Sequence, residues 1–210
     1  EKNYPRTYQY LIKNENRIKS NVKYNKGEFW HTFTREHNHE YFLRKKVVVP
    51  MTARDTFATF EGCRGFYMDN SNVWFITVDT DDEIELKAIA MIINSTVFSV
   101  FAKSGANPQD GNYYKFNKQF LTPVPFPNNQ LERDNSKIKQ LAKFYDDIAN
   151  IMEEYGKATD DNKIYYESVL VEKWETLDKV CEEIYGLENT DAQMIRKVGR
   201  TVSRINGTER

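Results

Sequence analysis

Three patterns of apolar and polar positions succeed one another along this chain, and each predicts its own kind of element. Tyr4 to Ile12 has helical spacing with Pro5 in the first turn, where a missing N–H costs nothing, so a short helix is predicted there. Phe29 to Thr34 is aromatic and β-branched and predicts a strand, and the polar Glu36-His37-Asn38-His39-Glu40 run predicts a loop. Lys46-Val47-Val48-Val49-Pro50 is a short continuous run of the kind found in a strand buried on both faces. Phe57-Ala58-Thr59-Phe60 and Gly65-Phe66-Tyr67-Met68 flank Glu61-Gly62-Cys63-Arg64 and predict a hairpin, and Val73 to Val78 is the clearest strand.

After Val78 the period changes. Asp79-Thr80-Asp81-Asp82 marks a helix start, because carboxylates cap free amides and suit the positive end of the helix dipole. Ile84, Ala88, Met91, Ile92, Ser95 and Phe98 follow at helical spacing and predict one core helix from Glu83 to Ala102. Ser104 to Gly111 reads as a loop, and Pro123-Val124-Pro125-Phe126-Pro127 ends the first unit. Leu131 to Tyr155 and Ile164 to Tyr185 are long and amphipathic, with a Gly156 to Asn162 turn between them, and predict a helical hairpin. Asp191 to Ile205 predicts a shorter helix. The fold class is therefore α+β: a mixed small-sheet domain with a central helix over residues 1–127, then a helical hairpin or bundle over residues 128–210.

Composition narrows the class. The 210 residues are 40% hydrophobic and 29% charged, as in an ordinary globular protein, and no apolar run reaches the roughly 18 residues of a membrane span. No basic stretch followed by an apolar segment marks a signal peptide at the start. Cys63 and Cys181 form no C-x-x-C, so a reducing cytoplasm is the expected compartment. The net charge of −1 hides an uneven distribution: residues 1–54 hold 12 Lys/Arg against 5 Asp/Glu, and residues 126–191 hold 8 against 16. A near-neutral chain of this kind can still present one basic face to phosphate.

Catalytic motifs are weak. Glu85-Leu86-Lys87, with Asp69 or Asp79 upstream, matches the tripeptide of a metal-dependent nuclease, but it opens a helix instead of lying on a strand, so that reading is disfavoured. His31, His37 and His39 lie close together without a fourth ligand, and no metal site is assigned. What remains is a set of loops mixing basic, aromatic and amide residues: Trp30, His31, Arg35, His37 and Asn38; Arg54 with Arg64; and Lys103, Asn107, Gln109, Asn112, Tyr113, Tyr114, Lys115, Asn117 and Lys118. Arg and Lys reach guanine edges or phosphates, Asn and Gln pair with adenine, and Tyr stacks or bonds phosphate.

The order of segments resembles the TaqI-like C-terminal specificity domain of adenine-specific DNA methyltransferases. The resemblance runs from Tyr4-Pro5 with Tyr10-Leu11, through Phe29-Trp30, Arg35 and Lys45-Lys46-Val47-Val48-Val49-Pro50, to Phe57, Gly65 and Trp74-Phe75-Ile76. It continues with Met91-Ile92-Ile93-Asn94-Ser95, Tyr114-Lys115-Phe116-Asn117-Lys118 and Leu121 to Pro127, and closes with Leu177-Asp178-Lys179-Val180 and Ile184-Tyr185-Gly186-Leu187.

The resemblance implies a sequence-specific DNA-recognition domain of a bacterial restriction-modification N6-adenine methyltransferase. Its partners would be double-stranded DNA and an N-terminal methyltransferase domain, with no membrane. S-adenosylmethionine would belong to that catalytic domain, which flips the target adenine out of the duplex. This chain itself carries no glycine-bearing cofactor loop and no Asn/Asp-Pro-Pro-aromatic motif. Asn107-Pro108-Gln109-Asp110 starts similarly, lacks the second Pro and the aromatic, and reads as a turn. The chain is accordingly expected to be a portion cut away from its catalytic half, in line with its start at Glu1, with no catalytic residues, no cofactor and no metal of its own. Arg35, Arg54, Lys103, Asn107, Tyr114, Lys115, Asn117 and Lys118 are the expected DNA-binding residues; Arg35, Arg54, Lys103, Tyr114, Lys115 and Lys118 would line one groove, their loops gathered on one side by the family fold, with the acidic segments 55–102 and 126–191 mostly turned away. The alternatives are the specificity part of a fused restriction endonuclease-methyltransferase and a protein-interaction module docked through the helical hairpin. Steep salt dependence of DNA binding separates the first from the second.

Overall fold

The computed structural model describes residues 2–21, 30–31, 41–62, 72–128, 131 and 134–199. The chain divides into two compact units, Glu1–Tyr41 and Phe42–Arg210.

In the first unit α1, Pro5–Lys13, begins on Pro5 as its first helical residue and ends where the Asn14 side chain donates to the Tyr10 carbonyl at 2.8 Å. A second helix that the apolar pattern does not announce, α2 (Glu15–Asn21), follows at once, and Lys19 pairs with Glu15 one turn earlier at 2.6 Å. Trp30 and His31 lie in a turn, while the rest of the strand predicted over 29–34 and the 36–40 loop lie outside the described residues.

In the second unit β1, Lys46–Pro50, is the centre of a three-stranded antiparallel sheet, flanked by β3 (Thr59–Glu61) and β4 (Val73–Ile76). The register sets Val47 opposite Phe60 and Ile76, and Val47 and Val49 are fully buried. Lys46 is buried as well. Its ammonium meets the Glu61 carboxylate at 2.9 Å and donates to the Arg44 carbonyl at 3.0 Å, which satisfies a charge that desolvation would otherwise expel. The second strand of the hairpin expected after Glu61 falls on residues outside those described.

Where one core helix is predicted from Glu83 to Ala102, the structure has two: α3 (Glu83–Ile93) and α4 (Thr96–Gly105), bent by 64° at the break. Side chains win the local competition for backbone groups here. Ser95 takes an extended backbone, donates its hydroxyl to the Ile92 carbonyl at 2.6 Å and accepts from the Phe98 N–H at 3.2 Å. Asp178 then accepts the N–H and hydroxyl of Thr96 at 2.7 and 2.6 Å, so α4 starts on two caps.

The segment Ser104 to Gly111, expected to be a loop, is the end of α4 followed by the first arm of a hairpin. β5 (Asn107–Gln109) pairs with β6 (Tyr113–Lys115) around a tight turn at Asp110–Asn112, in which Gly111 and Asn112 have φ of +72° and +61°. Those left-handed conformations are what Gly and Asn tolerate. Pro108 fits because β5 is an edge strand and need not donate on its outer side. β2 (Thr52–Ala53) completes this second sheet in the order β2-β6-β5, the chain passing from β1 through Met51 directly into it.

A short α5 (Lys118–Leu121) leads to α6 (Asn135–Lys157), α7 (Asp160–Tyr185) and α8 (Asn189–Gly199). α7 stops on Gly186 at φ +65°, a left-handed cap. The change of sequence character near residue 127 is not a break in packing. Leu141 and Ile148 of α6 and Leu170, Leu177 and Cys181 of α7 share one core with Val47, Leu86 and Ile92, and Lys87 of α3 meets Asp146 of α6 at 2.7 Å.

Candidate nucleic-acid interface

Side chains alternate across a sheet, so register decides which of the sequence-derived residues share a face. In the second sheet Thr52 lies opposite Lys115, and Lys115 opposite Asn107. Two residues on, Tyr113 lies opposite Gln109. These five side chains therefore occupy one face, and all five are solvent-exposed. Arg54 joins its margin, its guanidinium 5.2 Å from the centre of the Tyr113 ring. The face combines a Lys, an Arg held on an aromatic ring, two amides and two hydroxyls, the donor and acceptor set that reads base edges and grips phosphate.

The opposite face belongs to the core. Ala53 is buried, and Tyr114 is half-buried and stacks on Phe116 at 6.2 Å. Lys103 lies on that inner side, 5.5 Å from the Tyr114 ring and in an ion pair with Asp55. Asn107 and Lys115 thus share the outer face, whereas Lys103 and Tyr114 do not. Asn117 is half-buried at the start of α5 without a side-chain cap bond, and Lys118 is exposed on its first turn. Arg35, and with it Arg64, lies outside the described residues. Asp55, of the acidic segment 55–102, follows Arg54 in the chain, and its charge is offset by Lys103.

Gln109 and Tyr113 belong to the third of the loops singled out by sequence, though not to the eight expected contacts, and Thr52 belongs to neither. Asn107-x-Gln109 and Tyr113-x-Lys115 carry the period of two that could have identified an outward face. Thr52 lies on a strand too short to leave a pattern. Beside the face a cleft of about 640 Å³ opens between the β2–β3 connection and α6 and α7, with Phe57, Met91, Tyr145, Met152 and Trp174 among its lining. Among the described residues the nuclease tripeptide shows no convergent geometry: Glu85 accepts from Thr80, Leu86 is in the core and Lys87 is paired with Asp146, while Asp69 lies outside the described residues. Among the described residues no cluster of His, Cys, Asp and Glu is placed to hold a metal ion.

Residues 6–126 match the model of the TaqI-like C-terminal specificity domain. The chain belongs to that family. No curated protein matches it. A specificity domain of this type recognises DNA sequence within a restriction-modification system and is not the catalytic part. In this specificity domain the matched segment takes in both sheets, α3, α4 and α5, and so the whole outward face. No single helix among the described residues is long and apolar enough to cross a membrane.

Proposed function

We propose that this specificity domain positions a site-specific N6-adenine DNA methyltransferase on duplex DNA, and that the outer face of the second sheet makes the contact. The observation that carries the reading is the exposed row Thr52, Lys115 and Asn107 with Gln109 and Tyr113 beside it, on a narrow hairpin. A two-stranded ribbon of this width fits the major groove, where each base pair shows its own donor and acceptor pattern. Lys115 and Lys118 grip phosphate, and Asn107, Gln109 and Arg54 face base edges.

Methyl transfer itself belongs to a catalytic domain outside this chain, which binds S-adenosylmethionine. The cleft here does not suit that cofactor: its carboxylate, Asp55, is engaged by Ser99 and Lys103, and the lining is otherwise largely apolar and aromatic. Such a parent enzyme works in the bacterial cytoplasm. The exposed outer face favours a role on DNA over a protein-interaction role for the helical hairpin.

The test is a salt titration of duplex binding by the wild type and the Lys115→Ala, Lys118→Ala double variant. Each lost phosphate contact should lower the slope of log K against log salt by about one unit, with affinity falling alike on every duplex. Equal affinity and equal slope for the two proteins would falsify the assignment of this face.

A further inference from the structure

The connection from β2 to β3, Arg54 to Ala58, is held far more firmly than a link between two strands requires. The Thr56 N–H donates to Ser99 Oγ at 3.2 Å, and the Thr56 hydroxyl donates to the Ile93 carbonyl at 2.7 Å. The Asn94 side chain closes a two-bond ring on Ala58, accepting from its N–H at 2.7 Å and donating to its carbonyl at 2.9 Å. Ser99 donates to Asp55 at 2.9 Å, and just beyond, the Phe60 N–H donates to the Tyr145 hydroxyl at 2.9 Å. Asn94 and Ser99 are themselves buried, so these bonds form away from competing water, and a satisfied buried network makes a rigid loop.

On this rigid loop Phe57 is 56% exposed, next in sequence to the Arg54–Asp55–Thr56 run that borders the outer face. A lone exposed aromatic is ordinary. An aromatic fixed on a pinned backbone beside a groove-reading face is suited to discrimination, which needs contact groups held to about half an ångström. Apolar contact with a thymine methyl is the readout open to a Phe in the major groove.

We infer that Phe57 is a specificity-determining residue contacting a thymine methyl, and that Asn94 and Ser99 are positioning residues that hold it in place. This rests on the outer face being the DNA face. Asn94 is the last residue of helical backbone at the end of α3, one position before the α3–α4 break.

The experiment begins with the duplex that the full chain selects from a randomised pool, then replaces its thymines one at a time by deoxyuridine, which removes only the methyl. At one position the wild type should lose about fourfold or more in affinity, the worth of one buried methyl group. Phe57→Ala, an exposed substitution, should bind the thymine and deoxyuridine duplexes alike while keeping the wild-type salt slope. Ser99→Ala should shrink the methyl preference, and Ser99→Thr, which keeps the hydroxyl, should restore it. A wild type indifferent to deoxyuridine at every position, or a Phe57→Ala variant that keeps the full penalty, overturns the role of Phe57. An unchanged preference in Ser99→Ala overturns the positioning role. A wild type that selects no sequence at all removes the DNA reading along with this one, whereas the other outcomes leave that reading intact.

Discussion

At the residue scale the ion pair of Lys46 and Glu61, both buried, joins neighbouring strands of the first sheet. Removing one member strands the other charge in the interior. Lys46→Met should therefore destabilise the protein by about 3–5 kcal/mol, and Lys46→Met with Glu61→Leu should recover most of the loss. Urea unfolding of both variants decides the point, and a single variant no weaker than the double would contradict it. Asp134 gives a prediction in pH. Its carboxyl is held below the usual value of 3.8, chiefly by the Ser136 hydroxyl and then by the Ser136 N–H, at the start of α6. A folded-state pKa that is depressed contributes stability above the unfolded value and loses it as pH falls. The first turn of α6 should thus fray below about pH 4, seen as faster amide exchange at Ser136 and Lys137, and Asp134→Asn should flatten that response. Neither role could be read from residue type: Lys46 looks like a solvated charge at a strand end, and only the pairing of β1 with β3 brings Glu61 to it.

At the element scale, period and capping residues locate the strands β1 and β4, the start of α3 and the helices α6 and α7 in the sequence to within a few positions. They fail where side chains capture backbone groups. Helical spacing runs through Asn94 and Ser95, yet Ser95 starts a new helix and Asn94 turns to Ala58, a partner 36 residues away that no local pattern contains. Ser95→Ala removes the α4 cap and should cost about 1–2 kcal/mol, measurable by thermal or urea denaturation. A neutral result would mean that Asp178 alone fixes the start of α4. The β5–β6 hairpin is missed for a different reason. Its arms are three residues each, and Gly, Asn, Pro and Asp resemble a loop whether or not strands flank them. Gly111→Val forces a β-branched residue to φ +72° and should weaken both the hairpin and DNA binding, with the change in stability amounting to about 1 kcal/mol or more.

At the scale of the whole molecule the C-terminal helices are part of the core that carries the reading face. Tyr185, whose phenol burial pushes well above its usual range, donates to the Pro125 carbonyl at 2.9 Å, and Arg196 makes a bidentate pair with the buried Glu182. α8 approaches α4 so closely that a Cβ on Gly199 would come within 2.2 Å of Thr96 Cγ2. Gly199→Ala should therefore cost about 1–3 kcal/mol, and Thr96→Ser, which removes that methyl and keeps the hydroxyl on Asp178, should rescue it. Failure of the rescue in urea melts would place the strain elsewhere. The sequence by itself determined the class of the fold, the positions of its long elements and the family to which they belong, because periodicity and turn chemistry are local properties. Only the tertiary structure decided which candidate residues share a face. Strand register put Lys115 and Asn107 outward and Tyr114 inward, and long-range pairing took Lys103 to Asp55, since a pleat and a buried partner are set by neighbours distant in the chain.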